Sequence, residues 1–85
     1  MNSVNISGIL KEGIDEFHRY LNYTLPFFQE GNVTEPRIVV KNWTNQPNAR
    51  LIVLPLNTRV LIHGHLDGDE KFGTILLVEQ LEVVK

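Results

Sequence analysis

The stretch His63-Gly-His65-Leu-Asp67-Gly-Asp69 holds the densest set of groups able to do chemistry. Alternate residues of a strand share a face, so two imidazoles and a carboxylate would stand in line, a set that suits zinc. A catalytic zinc needs three protein ligands and further shaping groups, and only His18 remains elsewhere in the chain. The expectation is two exposed strand histidines and no metal. Calcium fares no better: with Asp67 and Asp69 as first and third ligands, Lys71 falls at position five, Phe72 where glycine is needed, and Val78 where the bidentate glutamate belongs. Ser3 and Ser7 are the only serines, cysteine is absent, and there is no glycine-rich phosphate loop. Nucleophilic and phosphate-cradling chemistry therefore lack their reagents. The chain reads as a non-enzyme without a cofactor.

A different chemistry is carried by residues 37–43, Arg-Ile-Val-Val-Lys-Asn-Trp. A period of two turns Ile38 and Val40 inward and sends Arg37, Val39, Lys41 and Trp43 to the other face. Two cations and an indole in line on an exposed strand can hold phosphates and stack bases. A Trp covering the end of a barrel beside two solvated bases would give the same pattern.

The elements that must position these groups are bounded by size and composition. Eighty-five residues make one domain, and a chain of this length hides only about 60% of the surface its unfolded form exposes. A large enzyme cleft is not expected. Hydrophobic residues make up 42% and charged residues 21%, which is ordinary for a globular protein. The net charge of −2 gives no general attraction to a polyanion. Distribution matters more, because Arg37, Lys41 and Arg59 fall inside predicted strands whereas most acids fall in expected turns or near the end. The absence of cysteine, of an apolar span and of a signal-like start leads to the expectation of a soluble, cytoplasmic protein that does not engage membranes. Asn-x-Ser/Thr triplets at Asn5, Asn22, Asn32 and Asn42 are read as strand composition, not as glycan acceptors.

Taken in order, residues 3–10 alternate Val4, Ile6, Gly8 and Leu10 against Asn5, Ser7 and Ile9, as a strand does. Residues 11–16 form a polar turn. Ile9, Leu10, Ile14, Phe17 and Leu21 also suit one helical face, but Gly13 would lie inside that helix at a cost of roughly 1 kcal/mol. Residues 18–28 alternate Arg19, Leu21, Tyr23 and Leu25 against Tyr20, Asn22 and Thr24, until Pro26 bends or ends the strand. Residues 30–36 are a loop. Thr58 onward places Val60, Ile62, Gly64 and Leu66 on one face and Arg59, Leu61, His63 and His65 on the other. Gly64 marks a bulge or bend, and a turn over 67–73 leads to a last strand over 74–84. Five strands result, at 3–10, 18–28, 37–43, 58–66 and 74–84, with a helical turn or irregular connector between the third and fourth. That is the element order of an all-β, five-stranded Greek-key OB-fold barrel.

The opening Met-Asn-Ser-Val-Asn5 with Gly8, the segment Asn57-Thr-Arg-Val-Leu-Ile-His-Gly-His-Leu66, and the closing run 75–84 resemble bacterial single-stranded DNA-binding proteins, as a shortened cyanobacterial or plastid-type relative. The resemblance implies that Trp43 takes the family's stacking position, with Tyr20 or Tyr23 beside it. It also implies a bacterial cytoplasm or plastid stroma. The family's long connection between strands four and five is here 67–73, with three acids against Lys71 and Phe72, and its acidic tail has no counterpart. The string His63-x-His65-x-Asp67 also echoes metallo-β-lactamase-like hydrolases, but lacks the His that should follow Asp67.

The expected function is weak, sequence-tolerant binding of single-stranded DNA or RNA. Trp43, Tyr20, Tyr23 and Phe72 would stack, and Arg37, Lys41, Arg59 and Lys71 would hold phosphates. The alternative is an OB-fold interaction subunit, a homodimer, higher homo-oligomer or member of a larger complex, in which Tyr20, Tyr23, Phe27 and Phe28 form a seam.

Overall fold

A computed structural model describes residues 3–23, 36–46 and 49–84 of the chain. Five strands and one helical turn follow in order: β1 (Ser3–Gly13), β2 (His18–Tyr23), β3 (Arg37–Asn42), α1 (Arg50–Val53), β4 (Arg59–Asp69) and β5 (Gly73–Val83). The sheet runs β1-β2-β3-β5-β4 and closes on itself through a β4–β1 pairing, giving an all-β, barrel-like ring. All neighbours are antiparallel except β3 and β5. A parallel pair cannot be joined by a tight hairpin. The chain therefore leaves β3, passes through α1, and returns as β4 on the far side of β5.

Alternation decides which side chains meet inside. Leu10, Leu21, Val40, Val60, Ile62, Leu76 and Val78 come from all five strands, and Leu51 of α1 joins them to complete one buried cluster. Burial of about eight such side chains, at roughly 1.5 to 3 kcal/mol each, is the main force holding the ring closed.

Gly64 behaves as its place in the pattern requires. A Cβ built there would stand 1.9 Å from the Leu77 carbonyl oxygen, so β5 passes closer than any side chain permits. The β4–β5 register also shifts here: His63 faces Gln80 and Gly64 faces Val78, leaving Glu79 as the extra residue of a bulge.

A second irregularity lies in β1. Leu10 faces Leu21 but Gly13 faces Arg19, so β1 carries one residue too many across that interval. Arg19 is on the inward side of β2, opposite Val40, and is 4% exposed. Its guanidinium consumes the carbonyls that the irregular regions leave over. Nε and Nη2 donate to Lys11 O at 3.0 and 2.7 Å. Nη1 donates to the carbonyls of Leu51, Ile52 and Leu54 at 2.9, 3.3 and 2.8 Å. A helix of four residues cannot satisfy its own last carbonyls, and a buried cation needs such partners. Arg19 thus fastens α1 across the open end of the ring. Burial pulls its pKa down from the ordinary arginine value, but a guanidinium with that many acceptors stays charged at neutral pH.

Several boundaries differ from those expected. Strands β1 and β4 each continue three residues further, to Gly13 and Asp69, so both expected turns tighten. The first reduces to a reversal in which Ile14 and Asp15 N–H both reach His18 O, and no helix forms across 9–21. The longer pairing wins because it adds ladder bonds on both sides, whereas the helix would expose Gly13 and strand the ring without a second strand. The described part of β2 ends at Tyr23. The expected strand residues 24–28, including Phe27 and Phe28, and the loop over 30–35 lie outside the described residues.

Replacing Arg19 by Met keeps the apolar stem and removes every donor, leaving four buried or half-buried carbonyls unpaired. The loss should be about 3 kcal/mol, with the thermal midpoint falling by at least 10 °C or so. Circular dichroism melts of the two chains measure it; a shift of only a few degrees would mean that α1 is held by Leu51 alone.

Candidate nucleic-acid interface

The outer face of β2 and β3 collects most of the side chains that could stack or hold phosphate. Cross-strand pairing sets the rows: His18 beside Lys41, Tyr20 beside Val39, and Asn22 beside Arg37. Trp43 follows β3 directly. Its N–H donates to Val78 O at 2.9 Å, and Asn42 Nδ2 donates to the carbonyl and hydroxyl of Thr44 at 3.1 and 2.6 Å. The backbone is therefore pinned on both sides while the indole remains 61% exposed. A large apolar ring held out to water by a fixed backbone loses little entropy on binding.

The cations are less free than the sequence implies. The Arg37 guanidinium carbon lies 4.4 Å above the Tyr20 ring centroid, and Nη2 meets Glu12 at 3.1 Å, so the two residues act as one stacked plate with its charge partly answered. Lys41 and His18 both lie near enough to Asp69 for their charges to act on it. Lys71 sits over the Phe72 ring at 5.3 Å. The face thus mixes Arg37, Lys41 and Lys71 with Glu12, Asp15 and Asp69.

The turn between β4 and β5 folds over this same face. Asp69 Oδ1 accepts the N–H groups of Lys71 and Phe72 at 2.8 and 3.0 Å, and Gly73, with φ +77°, closes the reversal. The Phe72 ring reaches His18, centroid to centroid 4.8 Å with planes tilted by 43°. His18 Nδ1 in turn lies 2.7 Å from Asp15 Oδ1. On this side Val39 and Ile75, paired across β3 and β5, are only 9% and 3% exposed. The alternation that sends Val39 outward therefore does not send it into water. It is buried on the outer face between its cross-strand neighbours Tyr20 and Ile75.

Two of the expected contacts are not on this face. Tyr23 lies on the inward side of β2 with Leu21 and is packed against the core. Tyr20 and Tyr23 are three apart, and an odd spacing in a strand places them on opposite faces. Arg59 is exposed on β4, whose neighbours are β1 and β5. Two strands, Ile9 and Asn22 in the same row, separate it from Arg37, which amounts to roughly 14 Å of sheet. Arg59 therefore stands well apart from Arg37 and Lys41. His18 is the residue the sequence reading left out, and only the observed β2–β3 register places it opposite Lys41.

The histidines of β4 are separately engaged. His63 Nδ1 meets Asn5 Oδ1 of β1 at 2.7 Å, and His65 Nδ1 meets Glu79 Oε1 of β5 at 2.6 Å. The two rings are drawn toward opposite neighbours. Among the described residues no three metal-ligating side chains converge. Likewise, no helix among them is long and apolar enough to cross a membrane.

In comparisons with known proteins, the chain matches no family model and no curated protein.

Two carboxylates of this region titrate low. For Asp69 the N–H groups of Phe72 and Lys71 favour the ionised form and hold its pKa below the usual aspartate value. For Asp15, burial is the largest single influence and pushes the pKa up. The Phe17 N–H, the His18 ring and charge, and the His18 N–H together outweigh it, and the pKa is lowered. A depressed folded-state pKa contributes stability that is complete above the unfolded value near 4 and is lost as pH falls through the folded value. The Asp69→Asn chain keeps an acceptor oxygen but no titrating group. It should lose less stability than the parent between about pH 5 and pH 2.5, read as the shift in urea midpoint; equal losses would mean that the Asp69 turn does not contribute to acid sensitivity.

Proposed function

We propose that this protein is a compact OB-type barrel that binds single-stranded nucleic acid, DNA in the first instance, weakly and without strong sequence preference. The strand order, the return of β4 to β1 and the connector α1 between β3 and β4 fit the OB-fold pattern, whose ligands cross strands two and three and the adjoining loops. The single observation that carries the reading is the Trp43 indole, held exposed at the end of β3 two residues beyond Lys41. In this reading a base stacks on Trp43, another lies against the Arg37–Tyr20 plate, and Lys41 and Lys71 meet the phosphates between. Membership of the single-stranded DNA-binding protein family, a cytoplasmic or plastid setting, and a binding rather than catalytic role belong to the same proposal.

The acids interspersed on the face set the strength. With Arg37, Lys41 and Lys71 as the contacting cations, a slope of about −2 in log affinity against log salt follows from roughly 0.7 counterions released per phosphate contact. Attraction is modest at best.

A second reading is supported by apolar side chains elsewhere on the surface. Leu61, Val83 and Val84 are 41%, 37% and 41% exposed, and Leu61 lines a shallow pocket of about 280 Å³ with Asn5, His63, Gln80, Leu81 and Glu82. In that reading the outer side of β4 and β5 is a contact surface for protein, including another copy of the chain, and nucleic acid is incidental.

Titrating the fluorescence of the single Trp with a dT oligomer at about 50 mM salt separates the two. Quenching that weakens as salt rises, and an affinity at least five-fold lower for Trp43→Ala when binding is followed through a labelled oligomer, is the expected result, because one stacked base is worth roughly 1 to 3 kcal/mol. A flat titration together with a concentration-dependent dimer in sedimentation would reject the nucleic-acid reading in favour of the second.

A further inference from the structure

Phe72, one of the expected stacking residues, already rests against another ring of the chain. Its partner, His18, is the direct cross-strand neighbour of Lys41, and their rings meet at 4.8 Å. A ring beside a cation on a strand is the arrangement a nucleotide uses, base on ring and phosphate on charge. In the free protein the ring at that place is taken by a side chain of the chain itself.

The imidazole beneath Phe72 is incompletely satisfied. Asp15 is a carboxylate and accepts from Nδ1, so Nε2 is the ring atom left to find a partner, as a lone pair on a neutral ring or as an N–H on a charged one. That nitrogen is shut away from solvent and has no hydrogen-bond partner among the described residues. A buried polar atom left unpaired is an unfavourable feature of the closed arrangement. The covering element, by contrast, is complete in itself. Asp69 closes the turn through the N–H groups of Lys71 and Phe72, so residues 70–72 can lift with Phe72 while their own hydrogen bonds persist.

We propose that Phe72 is a built-in occupant of the interface. It covers the His18 ring in the free protein and leaves it when a nucleobase arrives, so that His18 and not Phe72 is the stacking partner beside Lys41. The exchange replaces one aromatic contact with another and opens Nε2 to water or to an adjacent base. This inference rests on the nucleic-acid reading above; it adds which ring the ligand meets and what competes for it.

The test uses the full chain. Nuclear Overhauser contacts between the His18 and Phe72 ring protons are followed while a dT dodecamer is added at low salt, with Trp43 fluorescence recorded on the same samples. The contacts should disappear in step with the change at Trp43, and Phe72→Ala should bind the oligomer about three-fold or more tightly than the parent. Phe72→Leu, which keeps an apolar side chain beside His18 but no ring, should move the affinity in the same direction and serves if the alanine variant fails to fold. Contacts that persist at saturation, or unchanged or weaker binding by the folded variant, would overturn the proposal and leave nucleic-acid binding itself standing. No response of Trp43 or of any backbone resonance to saturating oligomer would instead remove the parent reading, and this one with it.

Discussion

The Arg19 guanidinium is the interaction on which the remaining architecture depends. A ring of five strands has two open ends, and the path from β3 to β4 has to cross one of them. The crossing element is a four-residue helix too short to satisfy its own carbonyls, next to a β1 irregularity that leaves the Lys11 carbonyl for the same donor. One planar group with five N–H donors in fixed directions answers both. Lysine would reach fewer of these oxygens, and an apolar residue would satisfy none. With α1 held, Leu51 enters the core and β4 is delivered to β1, where the ring closes.

Closure determines which surfaces are available for binding. A sheet without free edges offers its outer faces and its turns, and the two outer sides here differ in character. One carries Trp43, the Arg37–Tyr20 plate and Lys41 under the β4–β5 turn. The other carries Leu61, His63, His65 and their partners Asn5 and Glu79. On the first side each cation has a carboxylate or a ring nearby. The arrangement holds the plates of the face in place and limits the long-range field that would draw in a polyanion. Stacking, which acts only at contact, is therefore the larger share of any affinity for nucleic acid.

Much of this was visible in the alternation of residue types. The inward set Leu10, Leu21, Val40, Val60, Ile62 and Leu76 follows from period two, and the bend at Gly64 from a glycine in mid-strand. The same rule put Tyr23 with Leu21, so its absence from the outer face was implicit in the pattern. Arg19 was legible in half: its spacing from Leu21 marks a charge on the core face, but its acceptors lie 8 and 32 to 35 residues away and belong to irregular backbone. Strand ends were misjudged because polar residues at 11–13 and 67–69 look like turns until their partners across the ring supply a ladder.

By itself, the sequence determined the number and order of the strands and the inward face of each, because these depend on neighbours one to four residues apart. Tertiary structure alone decided that Arg19 ties down α1, that Arg59 stands apart from Arg37, that Val39 is buried, and that Phe72 rests on His18. Each of those rests on a register or a return of the chain over tens of residues. No local pattern specifies such distances; they exist only once the ring has closed.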